Sequence, residues 1–399
     1  MTKQSESEAA QARFGIRRMR PRDPLELFRA SSPLELFFDL SFVVAVSLAS
    51  GQLHLFEIEG HVGQGVTAYL LTFFGIWWAW MNFTWFASAF DTDDWPYRAL
   101  VLVQMGGVIV LAVGATPAMA RADYWIMIWG YVIMRLAMVA QWVRASRSAP
   151  ELRGTAIRYA VGIATVQVLW LCFPLAPGGP SPGLFVLLAC AELLVPVIAE
   201  RKRMTPWHPG HIAERYGLFT LIVLGESVLA ATSTLSSALE DHVHVAGIIE
   251  IGIGGFVMAA CMWWLYFSGD IAQHLSSLRR ALPFGYGHYA IFASAGAFSA
   301  GIAVILGLET GETRLGPVAA AATLTVPVAV YVFGVWILIL RHCLSGVRTV
   351  ILPIGALGIA ACALVPMPLI AAAVVMLLLV VVVESSGVRV AAGRDGADS

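Results

Sequence analysis

The sequence predicts an all-α polytopic integral membrane protein of about twelve transmembrane helices, built as two six-helix parallel pseudo-repeats with both termini cytoplasmic. Three observations predict it. Hydrophobic residues fill 58% of the 399 positions and charged residues only 13%, about half the charged share of a soluble domain. The apolar residues gather into twelve runs close to the ~20 residues that a bilayer crossing needs. Of the 25 lysines and arginines, 22 fall on one side of an alternating topology that starts inside, the asymmetry of the positive-inside rule. This composition excludes a soluble enzyme, a disulfide scaffold and a disordered chain. A net charge of −1 offers no global field for nucleic acid.

In chain order, residues 1–33 form a basic cytoplasmic tail with Lys3, Arg13, Arg17, Arg18, Arg20, Arg22 and Arg29. The tail reads as a topology determinant without fixed structure; a cationic stretch lying on anionic lipid is the alternative. No cleavable signal peptide is expected, so the first span stays as an anchor. The first six-helix half, 34–200, holds spans at Leu34–Gly51, Gly65–Phe90, Tyr97–Ala118, Tyr124–Val143, Ala156–Phe173 and Gly183–Ala199. A cytoplasmic linker, 201–214, leads to the second half, 215–384. Its spans are Arg215–Leu235, Val243–Phe267, Phe284–Leu306, Gly316–Leu340, Val350–Leu364 and Met367–Val383, and a polar tail, 385–399, follows. Only Val365-Pro366-Met367-Pro368 separates the last two spans, so a re-entrant pair, and ten spans in all, is the alternative. Glu57 and Ala176 are expected to be accessible from outside. The cysteines Cys172, Cys190, Cys261, Cys343 and Cys362 read as small core hydrophobes.

The pseudo-repeat rests on matched landmarks. Glu226 follows Asp39 by 187 residues, and Trp263-Trp264 follows Trp77-Trp78 by 186, with Asp91 and Asp270 trailing the two tryptophan pairs. An even number of spans per half preserves orientation, which makes the repeat parallel. Tryptophan pairs are also ordinary interfacial residues.

Ionisable side chains in hydrocarbon cost several kcal/mol, from ~3 upward, so each needs a reason. Glu35 and Asp39 lie four residues apart, on one face of the first helix. Such a pair either shares a proton or holds a cation between its carboxylates, unless Glu35 serves as a helix N-cap. Glu226 lies roughly 16 Å into its span, with Ser233 and Ser237 on the same face, a pattern suited to an ion or proton path. Arg135 needs an intramembrane counter-charge, and Glu192 is the first candidate for a structural pair. His208, His211, Glu214 and Arg215 gather at the cytoplasmic start of the seventh span. Pro209 and Gly210 are expected to break helical register between the two histidines. A polar, pH-responsive gate fits this cluster better than a metal site. No nucleophile elbow, phosphate loop or dinucleotide fingerprint is present, so neither catalysis nor a cofactor is expected. Gly252-Ile-Gly254-Gly255 reads as a close-packing stripe.

Two motifs carry a resemblance. Glu35-Leu-Phe-Phe-Asp39-Leu-Ser-Phe-Val-Val-Ala45 and His211-Ile-Ala-Glu214-Arg215-Tyr-Gly217-Leu-Phe219-Thr-Leu-Ile-Val-Leu-Gly225-Glu226 resemble, in order, the two signatures of the bacterial low temperature requirement A family. The resemblance implies an integral membrane protein linked by name to growth in the cold. The stretch Phe37–Leu48 is also similar to the first-helix pattern of lysosomal-type potassium channels. From residues and resemblance together, the expected function is a proton- or cation-linked transporter in the bacterial cell membrane. Asp39, Glu226 and Glu35 would be its binding acids and His211, Glu214 and Arg215 its gate. A cation channel and a non-transporting scaffold supporting growth in the cold are the alternatives. The expected partners are the lipid bilayer and a proton or monovalent cation, without nucleic acid; a homo-oligomer is left open.

Overall fold

A computed structural model of the chain describes residues 15–23, 30–240, 245–269, 271–272, 275 and 277–386. Twelve α-helices form among them, each on one of the apolar runs. They are α1 (Pro33–Ile58), α2 (Val62–Ala89), α3 (Trp95–Arg121), α4 (Trp125–Ser148), α5 (Arg153–Cys172) and α6 (Pro182–Ala199), then α7 (Pro209–Glu240), α8 (Val245–Phe267), α9 (Leu278–Glu309), α10 (Pro317–Leu338), α11 (Arg348–Ala361) and α12 (Pro368–Glu384). Eight of the helical stretches among the described residues are long and apolar enough to cross a membrane, and α11 and α12 belong to two shorter apolar stretches.

Local chemistry sets the helix starts. Asp94 caps α3 by accepting from the Tyr97 amide at 3.1 Å, and Ser181 caps α6 through Leu184 at 3.3 Å. Prolines at first-turn positions cost no hydrogen bond there. The same rule sets the start of α7. Pro209 and Gly210 are its first two residues, so both belong to the helix while His208 stays ahead of it; Pro209 occupies a position whose amide has no helical partner anyway.

The chain divides into two compact units, Met1–Leu48 with Leu71–Arg215, and Ala49–Leu70 with Tyr216–Ser399. In the first unit α3 crosses α4 on glycines. A Cβ on Gly130 would lie 2.3 Å from the Leu111 amide nitrogen, and one on Gly114 would lie 2.2 Å from that of Met127. Backbones this close need small residues, the usual device of helix association in lipid. The indole of Trp142 stacks on Tyr159, with centroids 4.1 Å apart, joining α4 to α5. In the second unit Gly301 of α9 performs the same service against Thr323 and Leu324 of α10, and Gly254 of α8 meets Leu369 of α12. Within the apolar window of α9, 83% of residues are buried, so this helix is the interior element of its unit. Elsewhere large aliphatic side chains point outward, among them Leu136, Ile253 and Val381. Such a surface suits lipid.

Other expectations change. Residues 15–23 of the tail are ordered against the first unit. Arg20–Pro21 pairs antiparallel with Phe90–Asp91, the Arg22 amide donates to Ala89 at 3.0 Å, and Met19 is buried. Asp94 fixes this stretch by accepting from the Arg17 amide at 2.8 Å and from Arg144. Glu57 is 3% exposed, because α1 continues through it, so it is no accessible loop residue. Trp77 and Trp78 are buried, whereas Trp263 and Trp264 are exposed, so the two tryptophan pairs sit in different environments. Cys172 and Cys190 lie on the exposed surface and Cys343 is half-buried; Cys261 and Cys362 are buried. Asp270 and the side chains of Asp91, Ser233 and Ser237 lie outside the described residues, as do Lys3, Arg13 and Arg29.

Candidate functional site: a buried charge cluster

The first turn of α1 opens on Ser32-Pro-Leu-Glu35. The Glu35 amide donates to Ser32 Oγ at 3.3 Å, and the Ser32 amide donates to Glu35 Oε2 at 2.7 Å. This reciprocal pair is a capping box. It occupies one carboxylate oxygen and leaves Oε1 to look elsewhere. One helical turn on, Asp39 lies on the same face, fully buried.

The first turns of α7 supply the opposite charge. His208 precedes Pro209, and its Nδ1 accepts from the His211 amide at 3.1 Å, which satisfies one of the open amides at that helix start. Its own amide donates to Ser88 Oγ at 3.1 Å. That cap aims His211 and Arg215, four residues apart, at α1. Arg215 Nη2 lies 2.5 Å from Asp39 Oδ1 and Nε lies 3.0 Å from Oδ2, a bidentate fork. Arg215 Nη1 is 3.5 Å and His211 Nε2 is 3.4 Å from Glu35 Oε1. Trp80 of α2 donates its indole N–H to Asp39 Oδ1 at 2.7 Å. Phe83, one turn further along α2, sets its ring 5.8 Å from the guanidinium.

Asp39, His211 and Arg215 are 0% exposed and Glu35 is 2% exposed. The cation between the two carboxylates is therefore the Arg215 guanidinium. Two carboxylates thus face one guanidinium and one imidazole across these contacts. Unpaired charge at such depth is costly, so these four side chains depend on one another. Glu214 is half-buried and points away from the cluster; its Oε1 accepts from the Ser31 amide at 3.1 Å.

Both signature motifs thus meet in one geometry, and the family model described as bacterial low temperature requirement A protein (LtrA) matches residues 30–383. The chain belongs to the LtrA family. A relative, an uncharacterized protein of Rhizobium meliloti (strain 1021), is 30% identical over 286 residues covering 66% of each chain. The LtrA chain thus spans 66% of that relative's length. Family and helices together make it a multi-pass membrane protein.

A second ion pair lies in the same unit of this LtrA chain. Arg135 of α4 reaches Glu192 of α6 at 2.6 Å. Glu192 Oε2 also accepts from Trp78 at 2.9 Å, and Oε1 accepts from the Tyr131 hydroxyl at 3.0 Å. Tyr131 in turn accepts from Arg135 at 2.5 Å. Arg135 Nε and Nη1 are buried without a hydrogen-bond partner among the described residues.

Glu226 belongs to the other unit, on α7, and is 4% exposed. It lies within electrostatic reach of Tyr69, whose hydroxyl donates to the Ala293 carbonyl at 2.9 Å. The adjacent Ser227 donates to Ala295 at 3.2 Å. Two groups in this unit carried no clear signal in the sequence. One is Glu57, buried with Oε2 unpartnered among the described residues. The other is His288, with Nδ1 2.7 Å from the Phe284 carbonyl and Nε2 2.9 Å from the Tyr266 hydroxyl. The i, i+4, i+7 spacing of Ser50, His54 and Glu57 marks one helical face and is the trace that could have flagged Glu57.

Proposed function

We propose that this LtrA-family protein is a proton- or cation-linked transporter of the bacterial cell membrane, in which Glu35, Asp39, His211 and Arg215 form the proton-carrying group. The observation that carries the reading is a buried cluster of two carboxylates, one guanidinium and one imidazole at the start of two helices. One proton arriving or leaving changes its net charge, and a buried cluster tolerates such a change only by rearranging. Glu226 is a further candidate acid for the transported ion, and Glu214 steadies the gate from outside the cluster. Twelve spans in two parallel halves, 34–200 and 215–384, with both termini cytoplasmic, is the topology we propose with it. Twelve helices and the arginine asymmetry support it.

The test is flux into liposomes holding the purified protein, with and without a pH gradient. Saturable flux driven by the gradient, with a pH dependence shifted in Glu35→Gln and His211→Gln, is the expected result. Voltage-driven, non-saturating current would make the protein a channel. Silence toward cations, organic solutes and protons alike would favour a scaffold and remove the proposal.

A further inference from the structure

In the second unit the N-terminus of α9 meets the turn that ends α10, and the two enclose a cavity of about 270 Å³. Arg279, Arg280, Arg341 and His342 line it together with the apolar Phe284 and Leu338. Among its described lining residues none is acidic. Arg279 and Arg280 occupy the first turn of α9, whose preceding Ser277 makes no side-chain cap bond. Positive side chains at the positive end of a helix dipole oppose the usual preference for acids there. Arg341 adds a third guanidinium from the turn after α10, and its Nε donates to His342 Nε2 at 3.2 Å. Three arginines line one hollow at the start of a helix, an arrangement that an anion stabilises.

The chemistry of the walls selects the anion. A free, hydrated phosphate has no use for Phe284 and Leu338, whereas a phospholipid presents a phosphate joined to hydrocarbon. Both helices belong to stretches long and apolar enough to cross a membrane, and the three arginines share the side that carries most of the positive charge in the sequence. Basic pockets between helices on that side suit anionic headgroups. We propose that this cavity is a binding site for an anionic phospholipid, its phosphate held by Arg279, Arg280 and Arg341 and its upper hydrocarbon lying along Phe284 and Leu338. The inference is independent of transport and stands on different residues.

The test titrates the purified full-length protein, in mild detergent, with acyl-labelled phosphatidylglycerol and phosphatidylcholine. Phosphatidylglycerol should bind at least about tenfold more tightly, and each of Arg279→Gln, Arg280→Gln and Arg341→Gln should weaken it about fivefold, the worth of one arginine at an anionic surface. Phosphatidylcholine binding should be unchanged. Arg147→Gln, an exposed arginine of α4, is the control for general surface charge. Equal binding of the two lipids, or equal loss in the Arg147 variant, would overturn the site. Full competition by millimolar inorganic phosphate would reassign it to a free anion. Loss of the preference when light scattering shows a change of oligomeric state would reassign the face to contact between copies.

Discussion

Replacing Arg135 by Met removes the only charge that answers Glu192 among its hydrogen-bonded neighbours. The pair is 2.6 Å apart with both side chains 2% exposed. After the replacement Glu192 keeps two neutral donors, Trp78 at 2.9 Å and Tyr131 at 3.0 Å, and no counter-charge. Breaking a buried pair from one side costs about 3–5 kcal/mol, more than about a hundredfold in the folding equilibrium. The double variant Arg135→Met, Glu192→Gln should recover at least half of that loss. It deletes both charges, together with the buried Nε and Nη1 that lack partners, and Gln keeps an oxygen for Trp78 and Tyr131. Exchanging the two charges should recover less, because Trp78 offers only a donor and a guanidinium at position 192 needs acceptors. Unfolding of the detergent-purified protein, followed by tryptophan fluorescence and gel filtration, measures these three variants and Glu192→Gln alone. Arg135→Met within about 0.5 kcal/mol of the parent, or losses that simply add in the double variant, would refute the reasoning.

Gly130→Ala should destabilise by about 1–3 kcal/mol, since its Cβ would sit 2.3 Å from backbone, whereas Gly106→Ala, with nothing within 4 Å, should be neutral in the same unfolding assay. Cysteine labelling in intact cells checks the topology. Glu59→Cys should react from outside, and Lys202→Cys and tags at both termini only from inside; termini on opposite sides would defeat an even span count. Burial holds the Glu200 carboxyl above the ordinary glutamate range, against hydrogen bonds from Thr205 and Tyr159. Its contribution is therefore full below the ordinary value of 4.5 and is lost as pH rises through the raised one. Glu200→Gln should flatten that decline in a melting-temperature series. Asp39→Asn should abolish gradient-driven flux, because Arg215 then faces one carboxylate instead of two, and flux equal to the parent would return Asp39 to a structural role.

Helix positions were legible because hydrocarbon imposes one simple demand, an apolar run of sufficient length, and each of the twelve runs carries a helix. Helix starts were less legible. Pro209-Gly210 marks where helical register begins, but nothing in the sequence singles out His208, just ahead of them, as the cap. Arg135 could be matched to Glu192 because a buried guanidinium requires a carboxylate and few were near in the span order. The partner of Asp39 was in plain view within the second motif. Yet Arg215 reads from the sequence as part of an entry gate, since the seventh span starts at that residue there and not at Pro209. The roles of Trp78 and Trp80 were hidden. Tryptophan in a membrane sequence marks an interface as readily as it marks a buried donor, and only the fold decides which.

Glu35 gives one oxygen to the start of its own helix and turns the other toward His211 and Arg215, while Ser31, one residue ahead of the box, is tied to Glu214. The opening turns of α1 and α7 are therefore bolted together at the point where the chain changes from irregular to helical. Such a joint cannot slide by degrees. Neutralising Glu35 slackens the cap of one helix and the ion pair to the other in a single event, so its negative charge acts there as a mechanical fastener, and the loss of that charge loosens two helices at their roots together.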